Sequence, residues 1–219
     1  MLKIPRIIHQ IWIGSNNPPW QWINTWKIDF IKKNPGWEYK LWREKDIHDL
    51  KMMNKKFYMK ESNYAGKADI VRYEILYQYG GIYIDADCVW LGKKNFENLI
   101  KKTKNGFFLA REPSPNPHLL ANSVIGSSRG NKNLLKINYE INKSYSILRN
   151  KYEPVHVTGP YLLTKLQNYL ILTIFPSDYF YPISWRNIND INIHKKLNHP
   201  SKSIMFQYGY STNNLSRFF

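Results

Sequence analysis

Residues 68–87 read ADIVRYEILYQYGGIYIDAD, and this stretch decides the fold. Ala68, Val71, Ile75, Leu76 and Tyr79 recur at three- and four-residue spacing, which marks a helix over Tyr64–Tyr79. Gly80-Gly81 supplies its C-terminal stop, since glycine tolerates the backbone that a helix end demands. Residues 82–84, Ile-Tyr-Ile, then read as a strand that carries Asp85 and Asp87 to its C-terminal end.

Upstream, residues 7–13 are β-branched and apolar, and the run Gly14-Ser15-Asn16-Asn17-Pro18-Pro19 ends them, as a loop ends a buried strand. Residues 25–33 read as a short helix, stopped by Asn34-Pro35-Gly36, and residues 37–42 alternate apolar and polar as a half-buried strand does. Downstream, residues 106–110 form another short strand. A loop holding Pro113, Pro115 and Pro117 leads into residues 122–128, and residues 133–150 and 161–169 are helical in pattern. The tail from Phe175 onward is aromatic and loop-like. Strands alternating with helices predict an α/β layered fold, in which ligands bind beyond the carboxyl ends of the strands. Asp85 and Asp87 fall there.

The 219 residues suit one domain over 1–219, and 43% hydrophobic residues with 16 Tyr and 8 Trp give it material for a core. The formal net charge of +16 points to anionic partners, although the lysines come as dispersed pairs such as Lys32-Lys33, Lys93-Lys94 and Lys195-Lys196. Peripheral contact with an acidic membrane fits that charge. Cys88 is the single cysteine, so no intrachain disulfide forms and a reducing compartment is expected. The N-terminal MLKIPRIIHQIWIG makes a poor signal peptide, and no run approaches the ~20 apolar residues of a membrane span, so the chain reads as soluble and cytoplasmic.

Residues i and i+2 of a strand share a face, so the expectation is that Asp85 and Asp87 converge on one point. Two such carboxylates repel each other, and a divalent cation of the Mg²⁺ or Mn²⁺ kind, sharing its shell with phosphate oxygens, removes the conflict. Taken alone, an Asp-x-Asp is more often an ordinary surface turn. Asp69 and Arg72 lie three apart on one helix face, either as a plain intrahelical ion pair or, through the Gly80-Gly81 connection, beside the Asp85/Asp87 end.

Four blocks, IPRIIHQIWIG, ADIVRYEILYQYGGIYIDAD, NSVIGSSRGN and VTGPYLLT, resemble in order and spacing the Asp-x-Asp sugar-binding glycosyltransferases. These are glycosyltransferase family 32, the yeast initiating mannosyltransferases and, more distantly, the clostridial toxin glucosyltransferases. The resemblance covers residues 4–164 and implies a GT-A type fold, with a single Rossmann-like nucleotide-sugar-binding domain, a mixed central sheet and residues 175–219 closing the site. It also implies metal-dependent transfer, with retention, from a nucleotide-diphosphate sugar to a glycan, protein or lipid hydroxyl. Asp87 matches the direct metal ligand, and Asp85 the residue that contacts the donor and supports the metal. Asp69 and Arg72 match the pair that holds sugar hydroxyls. Trp12 matches the aromatic that stacks on the nucleobase, which favours UDP over GDP, although a core tryptophan is the alternative. Asn122 and Gly126 match a block lining the donor site, and Thr158-Gly159-Pro160 a turn near the reacting sugar. The C-terminal histidine of many relatives is missing from SIMFQYGYSTNN, leaving Gln207, Ser211, Asn213 or water to complete a metal shell. His194 and His199 read as surface residues. Two weaker readings are a nucleotide-sugar-binding protein without turnover and a basic nucleic-acid-binding protein. No nucleic-acid module is recognisable, so no nucleic-acid partner is expected.

Overall fold

The structure, a computed structural model, describes residues 3–184, 186 and 188–218; Met1, Leu2, Trp185, Asn187 and Phe219 lie outside it. Its strands are β1 (Ile7–Ile11), β2 (Glu38–Trp42), β3 (Gly81–Ile84), β4 (Cys88–Trp90), β5 (Phe107–Arg111), β6 (Leu120–Ser127), β7 (Thr173–Phe175) and β8 (Met205–Gln207). Six of them form a mixed sheet in the order β2-β1-β3-β6-β5-β7. β1 is parallel to both β2 and β3, β6 runs antiparallel to β3 and β5, and β5 is parallel to β7. The parallel trio therefore ends on one edge, where Trp12 and Asp85 leave β1 and β3.

Alternation builds the layers. Ile82 and Ile84 of β3 pack on one face with Ile8, Trp26, Phe30 and Phe108. Tyr83 faces the other side, among Ile70, Val71, Ile75 and Leu76 of the long helix. That helix spans Tyr64–Tyr79 as the spacing predicts, because Asn63 accepts from the Ala65 and Gly66 N–H groups and Gly80 takes φ 66° at its end. Gly81 follows at φ 99°, and a Cβ there would stand 2.7 Å from the Ile7 carbonyl oxygen. Glycine is required at this crossing.

The first predicted helix starts earlier than its pattern. Trp20–Asn24, Thr25–Phe30 and Ile31–Lys33 run on as one helical stretch with a π-wound middle, which buries Trp22, Ile23, Trp26 and Phe30. The tail is less loop-like than expected. β8 pairs antiparallel with β4, matching Gln207 to Cys88, and builds a small core of Trp22, Val89, Phe206 and Tyr208. Strands of three residues show no periodicity of their own, and this pairing joins positions over a hundred residues apart. His199 is buried, contrary to a surface reading, and bonds through Nε2 to the His194 backbone carbonyl. Among the described residues no helix is long and apolar enough to cross a membrane.

His9 of β1 fastens the strand to the glycine turn. The Trp42 indole only donates, so His9 Nδ1 accepts from it at 3.2 Å and Nε2 donates to the Gly80 carbonyl at 2.8 Å. Burial lowers its pKa to about 4 from the usual 6.5. Between those values the unfolded chain holds a proton that the native state lacks. Stability is therefore full above about pH 6.5 and falls toward pH 4, by up to about 3 kcal/mol. Urea unfolding across that range will show the fall, and His9→Gln will flatten it.

Candidate active site

The two motif aspartates sit in a turn. β3 ends at Ile84, and Cys88 N–H closes onto the Asp85 carbonyl at 3.1 Å, so Asp85 and Asp87 are not the i and i+2 residues of a strand. The turn still brings their carboxylates to one place. Gln207 Nε2 lies 3.4 Å from Asp85 Oδ2 and 3.5 Å from Asp87 Oδ1. Backbone anchors fix the turn on its other sides: Gln10 Nε2 donates to the Asp85 carbonyl, and Asp85 N–H donates to Ser123 of β6.

Arg72 joins this turn to the long helix. Its Nη2 lies 3.0 Å from Asp69 Oδ1 and 3.3 Å from Asp85 Oδ1, its Nη1 donates to the Asn122 carbonyl at 2.6 Å, and Nε reaches the Ala68 carbonyl. The guanidinium also stacks 4.5 Å from the Tyr83 ring centroid, whose hydroxyl donates to Asp85 Oδ1 at 2.6 Å. Asp69 is held from three sides, because Asn122 Nδ2 donates to Oδ1 at 2.8 Å and Thr158 Oγ1 to Oδ2 at 3.0 Å. The helix positions both charges; β6 and the 158–160 turn orient them.

These contacts leave surplus negative charge. Burial raises the Asp69 carboxyl to about 6 against the opposing pull of Arg72. Burial and the Asp85 charge likewise raise Asp87 to about 6, although Tyr210 N–H donates to its Oδ2 at 2.7 Å. Two carboxylates thus share one guanidinium, while Asp87 lies beside Asp85 with no cation against it among the ion pairs of the described residues, which is the electrostatic imbalance a divalent cation would cancel.

The donor set fits such an ion. Among the described residues no group of three His, Cys, Asp or Glu side chains is placed to hold a metal. Asp85 and Asp87 present carboxylate oxygens here, while Gln207 turns its Nε2 toward them and its Oε1 toward Ser123. This partial set suits a hard ion that shares its shell with phosphate oxygens. Gln207 is itself fixed, since Ser123 Oγ donates to its Oε1 and pairs with the Tyr181 hydroxyl. Of the other sequence candidates, Ser211 lines the adjoining cavity, whereas Asn213 Nδ2 donates to the Tyr208 carbonyl. His194 pairs with the Tyr208 hydroxyl.

Two cavities meet at this cluster. The first, about 280 Å³, runs from Trp12, Gly14 and Tyr64 to Arg72, Asp85 and Asp87, with Tyr210 and Ser211 on its flank. Trp12 follows β1 and is held by an edge contact to Tyr210 at 5.1 Å and by its indole N–H on the Asn16 carbonyl. It lines the cavity and does not belong to the core. The second, about 210 Å³, is lined by Asp69, Arg72, Asp85, Asn122, Gln207 and Glu112, with Pro154, Val155 and Pro160 at one side. Ala65, Arg72 and Asp85 belong to both.

Asn122 lines the second cavity and Gly159 lies against Asp69, whereas Gly126 lines neither cavity. A Cβ on Gly159 would lie 2.9 Å from Val155 Cα and 3.2 Å from Asp69 Oδ2, so glycine permits the turn to approach that carboxylate. Gly126 lies farther along β6, opposite Ile82 and Phe108, and a Cβ there would fall 1.9 Å from the Phe108 ring. It is a packing glycine outside the lining of both cavities. Gly126→Ala is expected to cost about 1–3 kcal/mol in a urea titration and to leave ligand binding to the folded fraction unchanged. The lysine pairs are also absent from both linings, where Arg72 is the one Lys or Arg side chain among the described residues. The basic excess belongs to the outer surface. Gln207, Tyr210, Ser123 and Tyr181 complete the site, and of these the sequence pointed only to Gln207.

Residues 20–105 match the family described as the glycosyltransferase sugar-binding region containing DXD motif, a region that includes Asp69, Arg72, Asp85 and Asp87. The match is a likeness of that part of the chain to the sugar-binding region of such enzymes, the resemblance that the four sequence blocks led one to expect. It is similar to inositol phosphoceramide mannosyltransferase 3 of Schizosaccharomyces pombe, at 29% identity over 170 residues, which are 74% of this chain and 44% of that protein. The likeness to inositol phosphoceramide mannosyltransferase 1 of the same yeast is 29% over 232 residues, covering 94% of this chain and 69% of that one. Among solved structures the PaToxG glycosyltransferase superposes with a TM-score of 0.57 at 23% identity, over 76% of this chain and 70% of that chain. The fold is of the α/β, GT-A type, with a mixed central sheet.

Proposed function

We propose that the protein is a metal-dependent, retaining glycosyltransferase that moves a sugar from a nucleotide-diphosphate sugar to an acceptor hydroxyl. The observation that carries this reading is the gathering of Asp69 and Asp85 on Arg72, with Asp87 next to Asp85, at the junction of two cavities. The first cavity takes the nucleotide, with Trp12 stacking on the base. The second takes the sugar, whose hydroxyls meet Asp69 and Asn122. Asp87 and Asp85 would hold a Mn²⁺ or Mg²⁺ ion, with Gln207 beside them, and such an ion would supply positive charge against the leaving diphosphate.

Arg72 keeps Asp69 and Asp85 at fixed separation, so the sugar and the diphosphate are presented in one register. The acceptor oxygen bonds to the anomeric carbon on the face from which the phosphate oxygen departs, and the departing phosphate takes the acceptor's proton. No enzymic base is needed. Asp85 and Asp87 are too close together to flank a glycosidic bond as the paired carboxylates of a glycosidase do. The reading extends to one domain over residues 1–219, with 175–219 closing the site through Gln207 and Tyr210.

A donor screen tests it. UDP- and GDP-linked hexoses, with GDP-mannose included because the yeast relatives are named mannosyltransferases, are supplied with Mn²⁺ while thermal stabilisation and nucleotide release are followed. Stabilisation and slow release with at least one donor, both removed by EDTA, are expected. Silence toward every donor overturns the proposal, and stabilisation without any release assigns binding alone.

A further inference from the structure

At the mouth of the second cavity stands a ledge of exposed apolar and aromatic side chains. Val155 lines the cavity and is 40% exposed. Beside it the His156 and Tyr161 rings stack at 4.3 Å with 22° between their planes, and Tyr161 is 44% exposed. Tyr152 extends the row, 6.1 Å from His156. Hydrophobic side chains held in water at a cavity mouth forgo the free energy of burial, unless a ligand covers them in use.

The ledge is rigid and tied to the site. Pro154 and Pro160 open the helices Pro154–Val157 and Pro160–Leu166. Thr158 and Gly159 N–H groups both close onto the Pro154 carbonyl, and the Pro154 ring packs against Gly66 of the long helix. The same segment sends the Thr158 hydroxyl to Asp69. A molecule seated on the ledge is thereby held at a fixed distance from the sugar-holding carboxylate.

The chemistry of the ledge selects its occupant. Two stacked rings give a flat apolar face about one ring wide, with a phenol and an imidazole at its rim. A flat ring with an apolar face and a hydroxyl edge fits that face and its polar rim, as a flexible acyl chain does not. We propose that the Val155–His156–Tyr161 ledge is the acceptor platform and that the acceptor presents a pyranose ring, so that the attacking oxygen is a carbohydrate hydroxyl. This rests on the glycosyltransferase reading above.

The test uses the full chain with methyl α-glycosides of mannose, glucose and galactose, and n-octanol and a serine peptide as controls. With an accepted donor and Mn²⁺, at least one glycoside should be extended. Tyr161→Ala should raise its KM about tenfold, the size expected for losing one aromatic face. Tyr161→Trp should restore it, and nucleotide release in the absence of acceptor should not change. Saturation-transfer NMR with the same glycosides needs no turnover: signal on the wild type that Tyr161→Ala loses supports the platform. Transfer only to octanol or the peptide, or an acceptor KM and NMR signal indifferent to Tyr161→Ala, overturns it. Failure of the underlying reading looks different, since then no donor stabilises the protein or releases nucleotide.

Discussion

Asp87→Asn will lose about three orders of magnitude in nucleotide release while its thermal midpoint in EDTA stays at or above that of the wild type. The two halves of this result have one cause. Asp87 is a carboxylate that burial and Asp85 both disfavour, with its carboxyl raised to about 6. An asparagine keeps its shape and still accepts the Tyr210 N–H, but it removes the charge that burial and Asp85 disfavour. What it also removes is the charge that draws a cation. Added Mn²⁺ should therefore raise the midpoint of the wild type and leave the variant unmoved, which a paired thermal melt reads directly. A variant that is destabilised in EDTA, or that still responds to Mn²⁺, would show that Asp87 is structural. This opposition between stability and activity is what a site that stores unbalanced charge should show.

Much of the frame could be read from local signals, because those signals are themselves local. The helix Tyr64–Tyr79 begins and ends where Asn63 and the two glycines put it, and β3 follows at once. Asp69 and Arg72 were legible as a pair from spacing, and as part of a site from the short connection to Asp85. The reason for their burial was not legible. Six uncharged residues and three charged ones, Asp69, Arg72 and Glu74, share the buried part of that helix, so its apolar stripe is broken where the site begins. The turn at Asp85 was misread as strand, since i and i+2 alternation and a tight turn both set two carboxylates one residue apart. Gly126 shows the converse error: a glycine in a strand marks a close approach, but the sequence does not say whether a ligand or a phenylalanine ring makes it. The far wall, from Tyr181 through Ser123 to Gln207, depends on contacts between residues 58 and 84 positions apart. No periodicity encodes such contacts.

Arg72 should carry the largest stability effect in the molecule. Its side chain is 4% exposed, and its guanidinium stands between two carboxylates that water screens poorly. Arg72→Met fills most of the volume and leaves Asp69 and Asp85 facing each other without a cation, a loss of about 3–5 kcal/mol in urea unfolding near neutral pH. Arg72→Lys will not repair it fully. A single ammonium cannot reach both carboxylates and the Asn122 and Ala68 carbonyls, which the planar fork serves together. The electrostatic origin can be separated from packing by a second substitution. In an Asp69→Asn background the Met variant leaves one fewer bare charge, so its penalty should shrink by at least about 1 kcal/mol in a double-mutant cycle. Acid should act in the same direction, because Asp69, already raised to about 6, is largely neutral near pH 5 and then needs no partner. A penalty that is independent of both pH and Asp69 would mean that Arg72 holds the fold by its bulk and its backbone bonds. The charge cluster at the junction of the cavities would then be an accident of packing, and the argument for a cation between Asp85 and Asp87 would lose its electrostatic basis.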